Sequence, residues 1–409
     1  MPPPAASAAP FPRPWAAFSA VAVGTLMATL DGNIVNVALP TLGAELRAHV
    51  DALQWIVNGY LLAITATLVV MGRLGDRLGH RTLYASGLVV FTLGSALCGV
   101  APGLGALVAA RVFQALGASA MMAIGPAVVT AAFPPEMRGR ALGTMGTVVA
   151  VGLTLGPPLG GLILSNLSWR WVFYVNLPVG IAGTLWALRI LPRGGVPGGP
   201  LLDAAIFRIP AFSLGLVAGF LSYAAMFSQT FLTPFLLARV LELEPGRLGL
   251  VLSAVPVALA VASPLAGWIS DRFDARGLPA FGMAVLAGAL ATLSLAGASS
   301  TVASVAAHLF VAGLGMGLFQ APNNATVMGA LPRARLGSGG GFLATARNAG
   351  MAAGVGLAGT LFAMRAGPEA SGPDFLGGYA LALRAGALLA LAAAAVSLVP
   401  SGGPGYQRR

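Results

Sequence analysis

Along the chain, long apolar stretches alternate with short polar connections, and a Gly- and Pro-rich break over residues 192–210 divides them into two groups of six. A helix needs about 20 mostly apolar residues to cross the hydrocarbon core of a membrane. The twelve stretches are Trp15–Leu39, Leu53–Met71, Leu83–Val100, Leu104–Val129, Leu142–Leu164, Trp171–Leu191, Ala211–Leu237, Leu248–Ile269, Leu278–Leu295, Val302–Met328, Phe342–Met364 and Tyr379–Val399. This pattern predicts an all-α membrane protein with twelve transmembrane helices in two six-helix bundles.

The breaks between these stretches predict the domain organisation. We expect a Pro-rich cytoplasmic tail, two bundles joined by a cytoplasmic linker, and a second cytoplasmic tail. In chain order they cover residues 1–14, 15–191, 192–210 (the linker), 211–400 and 401–409.

An internal repeat supports the division into two halves, because GRLGDRLGHR ends the second span and GWISDRFDAR ends the eighth. Both copies contain Gly-x-x-x-Asp-Arg, formed by Gly72, Asp76 and Arg77 and by Gly267, Asp271 and Arg272. Matching motifs in two halves predict pseudo-symmetric bundles. We expect the two acids to latch neighbouring helix ends, as structural and gating residues.

Composition excludes a soluble globule, because 57% of the residues are hydrophobic and only 9% are charged, against about 25% charged in ordinary proteins. The net charge of +11 comes from 23 basic residues, all Arg. They lie one to three at a time between apolar stretches, so we expect them to orient helices and not to bind nucleic acid. Cys98 is the single cysteine, which excludes a disulfide and a Cys-based metal site. We expect no metal site and no cofactor.

The basic residues are distributed unequally between the two sides of the membrane. An even number of spans places both termini on one side, whose loops and tails carry fifteen Arg, whereas the opposite loops carry five. The positive-inside rule therefore predicts cytoplasmic termini in a multi-pass protein of the cell membrane.

Asp31 is the only carboxylate within the predicted spans. A charged side chain at such depth is costly and by default indicates a functional site, although a static salt bridge between helices is the alternative. Arg111 is the expected partner. Asp31 lies nine residues before Pro40 and Arg111 nine after Pro102, so both should lie roughly 13 Å from the external ends of their helices.

Further polar side chains lie within the spans of both halves. The candidates for a substrate cavity are Asn33, Asn36, Gln114, Asn323, Asn324 and Arg347. On a helical wheel the first two face away from Asp31. Two interpretations stay open for the amides, interhelical hydrogen bonds and contact with a substrate.

The fifth span contains closely spaced small residues and a proline, namely Gly152, Gly156, Pro157, Gly160 and Gly161. Small residues at this spacing let another helix approach closely. We expect close packing, and also a packed hinge that shifts between inward- and outward-facing states.

Taken together, these motifs resemble the major facilitator superfamily. Residues 72–81 are similar to its signature between helices two and three, Arg111-x-x-Gln114 to its fourth-helix motif, and residues 152–161 to the fifth-helix motif of antiporters. LDGNIVNVALP and WRWVFYVNLPVG resemble the drug:proton antiporter branch, whose best-known members have fourteen helices. The resemblance implies a twelve-helix relative in which Asp31 and Arg111 serve proton coupling.

The expected function is multidrug efflux, in which a monomer in the lipid bilayer exports small amphipathic compounds in exchange for protons by alternating access. Export of one particular metabolite and proton-coupled uptake are alternatives on the same fold. A membrane enzyme is disfavoured, because the sequence offers no paired intramembrane His for haem and no acid cluster for a metal. A scaffold that transports nothing is the third class.

The Arg asymmetry makes the topology testable. Reporter fusions after Arg409 and within residues 192–210 should both report the cytoplasm, because loops rich in Arg are retained there. A fusion within the short connection that contains Arg170 is the matched control and should report the exterior. An exterior signal from either of the first two fusions would contradict the topology.

Overall fold

The computed structural model describes residues 13–191, 204–273, 277–332, 336–366 and 372–399. Within these ranges every regular element is a helix. In chain order the long helices are α1 (Pro14–Glu45), α2 (Val50–Leu78), α3 (His80–Gly99), α4 (Leu104–Ala132), α5 (Pro135–Asn166), α6 (Trp171–Tyr174 and Asn176–Ile190), α7 (Pro210–Phe235), α8 (Pro245–Leu252 and Ala254–Arg272), α9 (Leu278–Leu293), α10 (Val302–Gly329), α11 (Leu336–Ala366) and α12 (Gly372–Leu398).

In the described part of the chain, eleven of these helices are long and apolar enough to cross a membrane, and α9 is a shorter apolar helix at the place of the ninth predicted span. The predicted fold class is therefore confirmed. Residues 13 and 399 lie at the same end of the bundles, here called the terminal side, and the opposite end is called the far side. Odd-numbered helices begin at the terminal side and even-numbered helices begin at the far side.

The observed helix ends differ from the ends of the predicted spans. The first span was predicted to end at Leu39, but α1 continues through Pro40 to Glu45. Proline costs one backbone hydrogen bond, and near the membrane surface water can take its place. Of the predicted linker, residues 192–203 lie outside the described residues, whereas Ala204–Arg208 forms a short 3₁₀ helix before α7.

Large apolar side chains cover the outer surface of the bundles. Leu97 on α3, Leu162 on α5 and Leu388 on α12 are among many that are exposed. Contiguous apolar surface of this extent is unstable in water but is suited to contact with lipid. The polar side chains within the spans accordingly lie inside.

Close glycine crossings hold each bundle together, and they occur at corresponding places in the two halves. A Cβ added to Gly87 on α3 would lie 3.0 Å from the carbonyl oxygen of Gly117 on α4. In the second half, a Cβ on Gly282 of α9 would lie 2.6 Å from the carbonyl oxygen of Gly315 on α10. The α3–α4 and α9–α10 pairs therefore pack backbone to backbone, as pseudo-symmetric halves require.

The same correspondence relates the α1–α5 crossing to the α7–α11 crossing. A Cβ on Gly156 of α5 would lie 2.7 Å from the Cβ of Asn33 on α1. On α11, a Cβ at Gly350 would collide with the carbonyl oxygen of Phe220 on α7. Helices in lipid gain little from apolar burial, so such van der Waals contact is a main source of their association.

The seam between the two bundles is tightly packed at the far side. Gly249 on α8 approaches the carbonyl group of Pro157 on α5, and Gly161 approaches the backbone of Pro245. With its amide oriented to satisfy both partners, Asn58 on α2 donates to the carbonyl oxygen of Ala352 (3.0 Å) and accepts from the amide of Gly356 (3.2 Å) on α11.

Nearer the terminal side, two glycines of the same helices have open space around them. A Cβ added to Gly146 on α5 or to Gly267 on α8 would meet no other heavy atom within 4 Å. The packed contacts at Pro157, Gly161 and Asn58 close this conformation at the far side.

The α1–α5 crossing predicts different responses to a leucine at two glycines of one helix. Gly156→Leu should lower the thermal unfolding temperature markedly, because overpacking a close contact costs typically 1–3 kcal/mol. Gly146→Leu is the matched control and should be near neutral, because that position has free space. Thermal unfolding of the purified variants in detergent checks this. Equal stability of the two variants would show that α1 and α5 do not need the close contact.

Candidate functional site

The N-terminal bundle contains a buried ion pair formed by the two residues that the sequence paired. The Nη1 atom of Arg111 on α4 lies 2.5 Å from the Oδ2 atom of Asp31 on α1. The two side chains are 1% and 0% exposed. A charge-assisted hydrogen bond in such a dry environment is stronger than one in water.

Two amides complete the hydrogen bonding of the carboxylate. The Oδ1 atom of Asp31 accepts from Asn176 at the start of the longer segment of α6 (2.7 Å) and from Gln114 on α4 (3.1 Å). The same two amides also donate to the hydroxyl of Ser95 on α3, at 3.3 and 2.7 Å. The acid is therefore held directly from α4 and α6, and the two amides connect it to α3.

Arg111 is enclosed by aromatic and polar groups. Its guanidinium lies 4.0 Å from the ring centroid of Tyr60 on α2 and 6.0 Å from that of Phe173 on α6. It also donates to the side-chain oxygen of Gln114 at 2.6 Å. Cation–π contact of this kind stabilises a desolvated cation by about 2 kcal/mol. The cluster thus holds one positive and one negative charge without access to water.

Helix geometry explains how these side chains meet. Gln114 follows Arg111 by one turn and therefore shares its face of α4. A Cβ on Gly94 of α3 would lie 2.6 Å from the Cα of Gln114. This close crossing brings Ser95, the next residue on α3, within hydrogen-bonding distance.

The predicted cavity residues of the N-terminal bundle have different surroundings. Gln114 is fully buried in the Asp31 cluster and faces no cavity in this conformation. Asn33 is partly buried at the α5 crossing and donates to the carbonyl oxygen of Thr29 in its own helix (2.8 Å). Asn36 is buried. As expected from the helical wheel, the two asparagines do not join the Asp31 cluster.

In the C-terminal bundle, Asn323 on α10 is buried and donates to the carbonyl oxygen of Gly215 on α7 (3.1 Å), so it joins two helices. Asn324 and Arg347 are partly exposed. The Arg347 side chain lies next to the hydroxyl of Tyr223 on α7.

The predicted small residues and Pro157 lie on two different faces of α5. Gly152, Gly156 and Gly160 face α1, whereas Pro157 and Gly161 face α8, so one helix serves both a crossing within the bundle and the seam.

The two loop signatures lie at the terminal ends of α2 and α8. Gly72 and Arg77 belong to α2, and Gly267 and Arg272 to α8, where the guanidinium of Arg272 lies 4.9 Å from the ring centroid of Trp268. The side chains of Asp76 and Asp271 lie outside the described part of the chain, so the proposed latch stays a prediction.

Four members of the cluster were not predicted from the sequence. Phe173 and Asn176 lie in the WRWVFYVNLPVG segment that carries the resemblance, and this was the signal that could have identified them. Ser95 and Tyr60 have no such signal, because single polar or aromatic residues are common in apolar helices.

Two pseudo-symmetric six-helix bundles with a buried charge pair in one of them define a secondary-transporter class of membrane protein. A model of the Major Facilitator Superfamily matches residues 21–355. The chain belongs to this superfamily, and it is a multi-pass membrane transporter of small molecules and not an enzyme.

Relatives match over most of the chain. It is 30% identical over 402 residues to the riboflavin transporter RibZ of Clostridioides difficile, covering 85% of this chain and 88% of that one. It is 32% identical over 455 residues to the uncharacterized transporter YebQ of Escherichia coli, with 97% and 98% covered. The tetracenomycin C resistance and export protein of Streptomyces glaucescens is 30% identical over 414 residues, with 87% and 77% covered.

The fold is also that of a solved structure. A bacterial homologue of the human lysosomal transporter Spinster, in an inward-facing and unoccupied conformation, superposes with a TM-score of 0.77. The sequence identity is 18%, and 95% of this chain and 97% of that chain are covered. This likeness confirms the predicted fold.

The buried pair predicts a strong effect on stability. Arg111→Ala should destabilise the protein by about 3–5 kcal/mol, because it leaves a buried carboxylate without its counter-charge. Thermal unfolding of the purified variant in detergent measures this loss.

A double variant separates the pair from its surroundings. Asp31→Asn combined with Arg111→Gln removes both charges and should recover most of the stability that Arg111→Ala loses. If Arg111→Ala unfolds at the wild-type temperature, the ion pair does not stabilise this conformation.

Proposed function

We propose that this transporter exports small amphipathic compounds in exchange for protons, with Asp31 as the coupling acid and Arg111 as its counter-charge. The observation that supports this most is the sealed pair itself. Acids within membrane spans are rare and mark ion pathways and proton relays. Asp31 is 0% exposed and is the only carboxylate of the apolar spans.

Protonation would change the energy of this cluster in a defined way. A proton on Asp31 removes the negative charge and leaves the buried guanidinium of Arg111 without compensation. Because an unpaired buried charge is costly, the protonated cluster favours a conformation in which Arg111 reaches water or another partner. Proton binding and release would thus bias the protein towards different conformations.

The bundle seam is the second part of the proposal. Release of substrate at the far side requires the packed α5–α8 and α2–α11 contacts to separate. We assign the terminal side to the cytoplasm and the far side to the exterior, in a monomer of the cell membrane. The substrate would contact the partly exposed Asn33, Asn324 and Arg347, and Asn36 and Asn323 would line the cavity after a conformational change.

A carrier of one particular metabolite is the second candidate. It is favoured by the likeness to a riboflavin transporter at 30% identity, whereas the likeness to a resistance and export protein favours the broader class. The two differ in the number of compounds that drive exchange. Flux measured with a panel of unrelated compounds separates them, and the direction of flux separates export from uptake.

Asp31→Asn tests the proposed coupling. The amide mimics the protonated acid and cannot release a proton, so flux driven by a proton gradient in proteoliposomes should be lost. Binding or passive exchange of the same compound should persist, since the substitution keeps the size of the side chain. Asp51→Asn, an exposed acid at the start of α2, is the matched control and should transport normally.

The gradient also gives a quantitative expectation. Each elementary charge that crosses 100 mV contributes about 2.3 kcal/mol, enough to shift accumulation roughly fiftyfold. Wild-type protein should show this dependence and Asp31→Asn should not. Full gradient-driven flux in Asp31→Asn would eliminate Asp31 as the coupling acid.

A further inference from the structure

We propose that Arg347, Tyr223 and Gln320 form a binding site for the anionic group of an organic substrate, so that this transporter prefers amphipathic carboxylates over neutral analogues. The inference deepens the proposed export function and rests on it for the identity of the cavity. It depends on three observations about the C-terminal bundle, which concern charge, hydrogen bonding and access.

The first observation is a positive charge without a negative counterpart. No Asp or Glu occurs in the sequence between Asp203 and Glu242 or between Asp274 and Glu369, so α7, α10 and α11 contain no acid. Arg347 follows the first residue of α11 by eleven positions, which places it roughly 16 Å along the helix and deep in the membrane. Arg111 at comparable depth has Asp31, whereas Arg347 has no such partner on these helices.

The second observation is a convergence of hydrogen-bond donors. Gln320 on α10 donates to the hydroxyl oxygen of Tyr223 on α7, and the guanidinium of Arg347 on α11 lies next to the same hydroxyl. The oxygen is thereby used as an acceptor, which leaves the hydroxyl proton free to donate. Among the described residues none accepts that proton. Guanidinium and hydroxyl together present donors that match a carboxylate.

The third observation is access. Arg347 is partly exposed, whereas the side chains of Asp31 and Arg111 are 0% and 1% exposed. Arg residues in membrane spans face the interior of the bundle or a water-filled cavity, because lipid contact is too costly. Because Arg347 is partly exposed, a ligand can contact it without rearrangement of the Asp31 cluster.

The close α7–α11 crossing keeps the site in place. Gly350 and Gly354 on α11 pack against the backbone of Phe220 and Ala224 on α7, on either side of Tyr223 in sequence. Arg347 lies one turn before Gly350 and is thus held beside α7. A donor cluster on rigid helices binds an anion with little loss of side-chain entropy.

Apolar residues next to the donors predict an amphipathic ligand. Phe227 and Met351 follow Tyr223 and Arg347 by four residues on the same helices and are partly buried apolar side chains. One helical turn separates each from its polar neighbour, about 6 Å along the axis. The distance suits an aromatic or aliphatic body that carries one negative group at its end.

Binding to purified protein tests the anion preference without any gradient. The probes are matched pairs of aromatic carboxylate and primary amide: 1-naphthoate, 1-naphthaleneacetate, indole-3-acetate and 4-biphenylcarboxylate with their amides. Dissociation constants are measured by quenching of tryptophan fluorescence in detergent. For wild-type protein at least one acid should bind about tenfold or more tightly than its amide, as expected for hydrogen bonds to a charged group.

Variants assign this preference to the three residues. Arg347→Gln should abolish it, Arg347→Lys should retain part of it, and Tyr223→Phe should reduce it while affinity for the amide stays unchanged. Arg384→Gln is the matched control, because it removes one charge from an exposed position on α12 in the same bundle and should leave the preference intact. Unfolding temperatures of the unliganded variants confirm that each is folded.

The outcomes separate this proposal from proton coupling. Asp31→Asn should keep the preference for acids even where it loses gradient-driven flux. Retained preference together with normal flux in Asp31→Asn would contradict the coupling mechanism alone. A panel in which no acid exceeds its amide, or a preference that survives in Arg347→Gln, would overturn the anion site.

Discussion

Close contact between helix backbones is the constraint on which the rest of this structure depends. In lipid, each backbone polar group must pair within its own helix, so helices form readily but gain little by burying apolar surface against one another. Glycines compensate by letting backbones touch, as Gly87 and Gly117 do in one bundle and Gly282 and Gly315 in the other. These crossings decide which side chains become neighbours. Ser95 reaches Gln114 because Gly94 allows the backbones of α3 and α4 to meet.

Charged side chains are constrained in a similar way, because a charge within the membrane must contact a counter-charge or water. Asp31 and Arg111 lie within a dry cluster, where each supplies the counter-charge of the other. Arg347, in contrast, stays partly exposed, and the helices around it carry no acid. The two bundles share a backbone arrangement but differ in this respect. Such asymmetry suits a protein in which one half handles a proton and the other a substrate.

The sequence predicted the helices and the ion pair because both depend on one-dimensional quantities. Apolar length alone identifies a span. Counting residues from Pro40 and Pro102 predicts that Asp31 and Arg111 lie at the same depth. The remaining contacts depend on how the helices rotate and cross, and counting residues does not predict either. Asn176 at the start of a span and Tyr223 in an apolar helix therefore became part of polar clusters only in three dimensions. For the same reason the sequence did not show that Gln114, a candidate for the cavity, hydrogen-bonds both members of the buried pair in this conformation.

The position of α5 explains how a change at Asp31 can affect the seam between the bundles. Gly156 lies against Asn33, two residues from Asp31 on α1, and the adjacent Pro157 lies against Gly249 on α8. At these points α1 touches α5 through the Cβ of Asn33, and α5 touches α8 through its backbone. Because packed contacts resist compression, a shift of α1 is expected to displace α5 or to break its contact with α8. Residues on two faces of α5 thus connect the helix that carries the buried acid to the far-side closure.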